Sequence, residues 1–424
     1  QGRHFFRMFN GMGDDQRAAS YLNGKSFEQA VLDNTLSTEV FYEMMKLKGV
    51  YLRNYINSRL SSNEFKEFMA EFTKRYQFQE VNFTRLNSEF IRKFHFNLMD
   101  FIPNWYTINS TPRFIVKGVD ADQVEVGDYT KYIVKFQVYN PTNVEGVISV
   151  NVEEGGGMFP GGPRGRRGRA AQMEAKPAKN YIIEPQKYKE IRILCDERPS
   201  NLTINTNISQ NLPSTIMQNF AKVTTTTTDT VTGIFDSNAT LFTFNPKEIT
   251  VDNEDPGFRI IESNQKNKLQ SFFKKESEDK YKNLNFWMPP SRWTATIGVN
   301  YYGDYINSAV YKKSGSGSNK TEWTTQIQIP GFYEVFVYTS ELPMMGWRHR
   351  GGEEKKIQYY TVKHDDGEEE ISVETGRGRQ GWRTLGSFYF SKGEAKITLS
   401  DKGSESNQII FADAVKWVYT NNNK

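Results

Sequence analysis

Two groups of residues in this sequence have types and spacing suited to holding a ligand. In "LPMMGWRHRGG" no apolar–polar alternation is present and the stretch ends in Gly-Gly, so Trp347, Arg348, His349 and Arg350 are expected on a loop. An indole held there can stack on the apolar C–H face of a sugar while its polar neighbours hydrogen-bond hydroxyls. Tyr301, Tyr302 and Tyr305 offer a second aromatic surface of the same kind. The acidic turn containing Asp252, Glu254 and Asp255 could give oxygens to a structural calcium, although an Asp/Asn-rich turn uses the same residues without metal. Catalytic chemistry is harder to find. His4, His95, His349 and His364 are scattered, and the chain lacks a His-Glu-x-x-His helix, a Gly-x-Ser-x-Gly elbow, a phosphate loop and a dinucleotide fingerprint. No catalytic residue is assigned, and calcium is the one cofactor considered. The lone Cys195, in "IRILCDE", reads as a small core residue and excludes an internal disulfide framework or a cysteine zinc site. His364-Asp-Asp-Gly367 follows an alternating run, which makes it a hairpin turn.

Charge narrows the partners. The 54 basic and 50 acidic residues leave a net charge of +4, which specifies no nucleic acid. The basic excess gathers in the Gly/Pro/Arg stretch Glu153–Lys179, expected to be a disordered loop; there Arg164, Arg166, Arg167 and Arg169 could grip a polyanion or a lipid headgroup. No run of about 18 apolar residues is present, so no membrane span is expected. The opening "QGRHFFRMFNGMG" has neither an initiator Met nor a signal-peptide layout, and we read the chain as a fragment or processed form of a longer protein.

The elements that must position these residues fall into three expected domains over 424 residues. Residues 1–112 read as helical. Ser61-Ser-Asn-Glu64 matches a capping box, and Phe65, Phe68, Met69, Phe72 and Tyr76 follow as one apolar stripe. A second helix carries Phe83, Leu86, Phe90 and Phe94, and Pro103 should stop helical structure near Trp105-Tyr106. From residue 113 the period becomes two. Tyr132, Val134, Phe136 and Val138 alternate, Asn140–Asn143 turns, Ile148, Val150 and Val152 alternate again, and Ile191–Leu194, Leu202–Ile204 and Leu241–Phe244 continue the strands. Residues 113–248 are therefore expected to form an Ig-like β-sandwich interrupted by the loop 154–179. Residues 249–424 read as a further sandwich with a charged insertion at 264–283, a turn at Asp401–Gly403 and a last strand over Ala412–Val418. Strand parity commits Trp323, Trp382 and Trp417 to its core, Trp382 because it is in phase with Phe388 and Phe390.

Two family resemblances rest on these residues. The pieces "VDNEDPGF", "NYYGDYINSAVY", "TEWTTQIQIPGFYEVFVYTS", "YTVKHDDG", "GWRTLGSFYF" and "FADAVKWV", in this order, resemble the golvesin C-terminal or xanthan-lyase-type carbohydrate-binding-like domain. That resemblance implies a jelly-roll-like sandwich on a secreted or surface protein, with a glycan or cell-surface polysaccharide as partner. The stretch "FKEFMAEFTKRYQFQEVNFTRLNSEF" followed by "FIPNWYTINSTPRFIV" is similar, more weakly, to the region after the catalytic core of gluzincin (aminopeptidase-N-like) metallopeptidases. It implies an upstream catalytic domain as partner and carries no zinc ligand in this chain. The chain is thus expected to be a multidomain α + β, non-catalytic C-terminal region of an extracytoplasmic, Bacteroidetes-like bacterial envelope protein. The competing expectations are the accessory half of a metallopeptidase and a purely structural or adhesive surface protein.

Overall fold

The computed structural model describes residues 14–155, 178–220, 223, 225–262, 280–340, 356–376 and 379–420. The Gly/Arg stretch with its four arginines, nearly all of the 264–283 insertion, and the Trp347–Arg350 loop lie outside the described residues. The chain divides into two compact units, Asp14–Phe242 and the part that begins at Thr243. None of the described helices is long and apolar enough to cross a membrane.

In the first unit, helices span Asp14–Leu22, Phe27–Leu32, Thr38–Asn57, Ser62–Arg75, Phe83–Phe94 and Ile102–Thr107. The Ser61 capping box forms: the Glu64 N–H donates to Ser61 Oγ at 3.2 Å, and the Ser61 N–H donates to Glu64 Oε2 at 2.8 Å. Phe68 and Phe90 bury their rings 4.5 Å apart, so the two aromatic stripes meet as their spacing requires. Phe83, expected on the stripe of the second helix, is exposed at the first position of that helix. Pro103 begins a short helix instead of stopping one. At the first positions a missing N–H costs nothing and the fixed φ suits the helix.

The strands of this unit are β1 (Ile115–Val126), β2 (Tyr129–Tyr139), β3 (Gly146–Glu154), β4 (Lys179–Ile183), β5 (Tyr188–Cys195), β6 (Pro199–Asn205), β7 (Thr215–Asn219), β8 (Thr225–Thr227) and β9 (Gly233–Asp236). They build sheets in the orders β8-β1-β2-β5-β9 and β4-β3-β6-β7, which close on Val134, Phe136, Val138, Ile148, Val150 and Cys195. Two features depart from the expected Ig-like sandwich. The β1–β8 pair is parallel, and the second sheet is covered on its far face as well: Val147, Ile182 and Ile208 pack with Tyr51, Tyr55 and Phe101 of the helical layer. Helices and second sheet therefore share a core of their own, on the face opposite the sandwich core. Leu241–Phe244, expected as a strand, falls instead on a 3-10 turn, Thr240–Phe242, whose Phe242 ring packs on Tyr139 and Tyr188.

The second unit holds β10 (Glu248–Val251), β11 (Phe258–Ile261), β12 (Thr294–Ile297), β13 (Ser308–Lys313), β14 (Lys320–Ile327), β15 (Gly331–Thr339), β16 (Lys356–His364), β17 (Gly367–Thr375), β18 (Gly381–Phe390), β19 (Gly393–Gly403), β20 (Ile409–Ala412) and β21 (Val415–Thr420). The sheets β10-β21-β15-β18 and β11-β14-β19-β16-β17 enclose Trp323, Trp417, Tyr333, Tyr360, Phe388 and Phe390, and β12-β13-β20 closes one margin. His364 pairs with Gly367 across the expected hairpin turn. Two expectations change. Asp401 lies within β19, fully buried, and takes the ammonium of Lys312, itself 3% exposed, together with hydrogen bonds from the Asn319 side chain and the Gly317 N–H. Burial alone would raise this carboxyl, but Lys312 and Asn319 hold it below its ordinary value. The expected strand Ala412–Val418 is broken at Asp413-Ala414, so β20 and β21 enter different sheets.

Candidate functional site

The break after β20 and an irregularity in β18 create the most ligand-like surface of the second unit. Along β15 and β18, Val335 pairs with Gly386 and Phe336 with Thr384, leaving Leu385 as an extra residue. Gly386 sits at φ +136°, a conformation that favours glycine, and the bulge reverses the phase of the strand on either side of it. Phe388 and Phe390 stay in the core, while Trp382 moves to the opposite face, across from Tyr338. Trp382 is therefore not the core residue that simple alternation implies; it is partly exposed.

That outer face gathers rings. Tyr302 lies 5.1 Å from Trp382 and 5.8 Å from Tyr338, and Tyr338 meets Trp382 edge-on at 5.3 Å. The Lys416 ammonium, on β21, stands 4.8 Å from the centre of Trp382 and 5.6 Å from that of Phe336, and pairs with Glu248 at 3.3 Å. Further along the same face Phe332 and Tyr389, each 37% exposed, form another edge-on pair. Burial raises the Tyr302 and Tyr338 phenols, so both stay neutral hydrogen-bonding groups.

Beneath the rings lies a polar hub. Asp413, in the gap between β20 and β21, is almost fully buried. Its carboxyl accepts from the Tyr302 N–H at 3.3 Å and from Ser340 Oγ at 3.0 Å, and its carbonyl accepts from Trp323 Nε1 at 3.0 Å. Burial raises Asp413 well above the ordinary carboxyl value. Asp252 is pushed up to about 9, by burial and then by the charge of Asp413. Asp413 thus ties the Tyr302 backbone to the end of β15 and holds one ring of the cluster in place.

The residues singled out from sequence separate in space. Tyr301 is buried with Tyr311 and Phe411 in a small core of its own and cannot serve as a platform. Tyr302 joins the exposed cluster, and Tyr305 is half-buried beside it in sequence. Trp347, Arg348, His349 and Arg350 lie outside the described residues. The calcium turn is occupied by its own backbone and neighbours. Asp255 Oδ2 accepts from the Asp252 N–H at 2.8 Å, Asp252 Oδ1 from the Asn253 N–H at 2.7 Å, and Glu254 takes Ser308 and Lys280. Among the described residues no group of three His, Cys, Asp or Glu side chains is placed to cage a metal. The residues missed by sequence reasoning are Trp382, Tyr338, Phe336 and Lys416. The Gly-Ser pair inside "WRTLGSFYF" was the one available sign of a bulge.

Of the strands that carry this face, β15, β18 and β21 fall in a segment that a family model matches. Residues 282–419 match the Golvesin C-terminal domain. The Golvesin C-terminal domain is a non-catalytic accessory module found in secreted proteins, and its match here takes in β12 to β20 and all but the last residue of β21. Among solved structures the chain is similar to a Paenibacillus xanthan lyase, with 13% identity and a TM-score of 0.29 over 73% of this chain and 26% of that one. It is also similar to a two-domain protein of unknown function from Bacteroides fragilis, with 10% identity and a TM-score of 0.18 over 73% of this chain and 94% of that one. A cycloisomaltooligosaccharide glucanotransferase from Paenibacillus shares 7% identity, with a TM-score of 0.17 over 72% and 71% of the two chains. The chain spans about a quarter of the length of the xanthan lyase. No curated protein matches. These comparisons give no support to the expected gluzincin kinship or to an Ig-like assignment of the first sandwich.

Proposed function

We propose that this chain is a non-catalytic, extracytoplasmic region of a bacterial envelope or secreted protein, and that its terminal sandwich binds a glycan on the outer face of the β10-β21-β15-β18 sheet. The observation that carries this reading is the bulge at Leu385, which turns Trp382 out of the core and sets it beside Tyr338 and Tyr302. Packing alone would use an indole of this size inside, where it would contribute the most burial. Outside, it offers a π face to sugar C–H groups while Lys416 and the tyrosine hydroxyls supply polar contacts. The Golvesin C-terminal match supports an accessory role.

The test is a glycan array on the full chain, followed by calorimetric titration of the best ligand. Trp382→Ala should weaken that ligand by about 1–3 kcal/mol, on the scale of other aromatic stacking contacts, and Tyr338→Ala by a similar amount. Tyr301→Phe, altered only inside its buried cluster, should bind as the wild type does. Unchanged affinity in Trp382→Ala would move the site off this face.

A further inference from the structure

The first unit contains a cavity of about 300 Å³ between the Thr38–Asn57 helix, the Ile102–Thr107 helix and the sandwich loop around Glu145. Its size is at the lower end of small-molecule sites. Its walls are largely apolar: Leu22, Tyr51, Phe101, Trp105, Ile108 and Ile208. Into it reaches Lys48, only 5% exposed. Its ammonium donates to the Trp105 carbonyl at 2.5 Å and lies 5.4 Å from the Trp105 ring centre, while Trp105 Nε1 donates back to the Lys48 carbonyl at 3.1 Å. Indole and lysine are thus locked together on the cavity lining.

The molecule shows elsewhere how it satisfies a buried lysine. Lys312 is given the carboxylate of Asp401. Lys48 is given none: among the described residues no carboxylate comes within ion-pairing distance of its Nζ. Burial pushes its pKa down to about 8 with no neighbouring charge to offset it. A buried ammonium has three donors; one meets the Trp105 carbonyl and the rings of Trp105 and Phe27 stand 5.4 and 5.9 Å from it, so no anion balances its charge. Such an arrangement suits an anion that arrives with its own apolar body.

We propose that this cavity binds a small apolar monocarboxylate, its carboxylate on the Lys48 ammonium and its body against Tyr51, Phe101, Trp105 and Ile108. The single cation sets the ligand charge at one. Glu145 supplies the one carboxyl on the lining, and burial raises it above its ordinary value, which favours its neutral form beside the ligand.

The full chain at pH 7 is titrated by calorimetry with octanoate, 3-phenylpropanoate and indole-3-propanoate, each beside its primary amide. At least one acid should bind saturably at one site, with its amide at least ~10-fold weaker. Lys48→Met should lower the affinity of that acid at least ~10-fold and leave the amide unchanged. Its melting temperature is measured alongside, since the variant also removes the donor to the Trp105 carbonyl. The proposal is overturned if none of the acids binds, if acid and amide bind alike, or if Lys48→Met still binds the acid as well as the wild type. Should Lys48→Met fail to fold, the acid-to-amide ratio in the wild type decides alone.

Discussion

The two sandwiches treat the outer face of a sheet in opposite ways. In the first unit, the outward residues Val147 and Ile182 of β3 and β4 are roofed by the aromatic face of the helical layer. In the second, the outward residues of β15, β18 and β21 are Phe332, Phe336, Tyr338, Trp382, Tyr389 and Lys416, and they remain wholly or partly exposed. Both faces are apolar enough to be buried. The first is a structural interface that leaves a small cavity at its edge, and the second is a surface whose rings pack sideways on one another. An apolar outer face is therefore no sign of function by itself; what lies over it decides.

The largest effect should come from charging the covered face. Val147→Asp places an unpaired carboxylate between sheet and helices, and should cost about 3–5 kcal/mol, the scale for a buried charge without its partner. The equivalent change on the open face, Tyr389→Asp, should cost about 1 kcal/mol, mainly the lost contact with Phe332. Chemical denaturation of both variants measures the contrast. Equal losses would mean that the outer face of the second sandwich is packed as tightly as that of the first.

The tryptophans sharpen the same distinction within one sandwich. Trp417→Ala removes a fully buried indole and should cost roughly 3–5 kcal/mol. Trp382→Ala should cost under about 1.5 kcal/mol, the upper range of an aromatic pair on a partly exposed face. Melting curves that fall together would return Trp382 to the core and remove the basis for a platform.

A modest, pH-dependent effect concerns the buried carboxyls under the platform. Asp252 and Asp413 both hold their protons more tightly folded than unfolded. Their contribution to stability is therefore complete below about pH 4, the ordinary carboxyl value, and is lost as pH rises toward about 9, where Asp252 ionises. Asp413→Asn keeps an oxygen to accept from the Tyr302 N–H and carries no charge. It should flatten that decline and stabilise the protein at pH 8 by on the order of 1–2 kcal/mol. A stability profile as steep as that of the wild type would show that the pair is not what drives the slope.

Much of the architecture was legible because it depends on short-range patterns. The Ser61–Glu64 capping box, the Phe68 and Phe90 stripes, the alternation through Val134, Phe136 and Val138, and the His364–Gly367 hairpin are written in neighbouring residues and formed as read. The failures share a cause. Pro103 can end a helix or begin one, and here it stands in the first turn of Ile102–Thr107. Asp401 looks like a turn residue until Lys312, far away in sequence, supplies the charge that lets it lie inside a strand.

The sequence by itself determined where helices give way to strands, and that Trp323 and Trp417 are core, because periodicity and side-chain volume act over a few residues. Only the tertiary structure decided the rest. One inserted residue, Leu385, reverses the face of Trp382, because side chains alternate with a period of two and a bulge shifts the count by one. The roof over Val147 arises from the packing of helices against a sheet some hundred residues on in sequence. No local pattern encodes which apolar face will find a partner, since that depends on where the chain has already been.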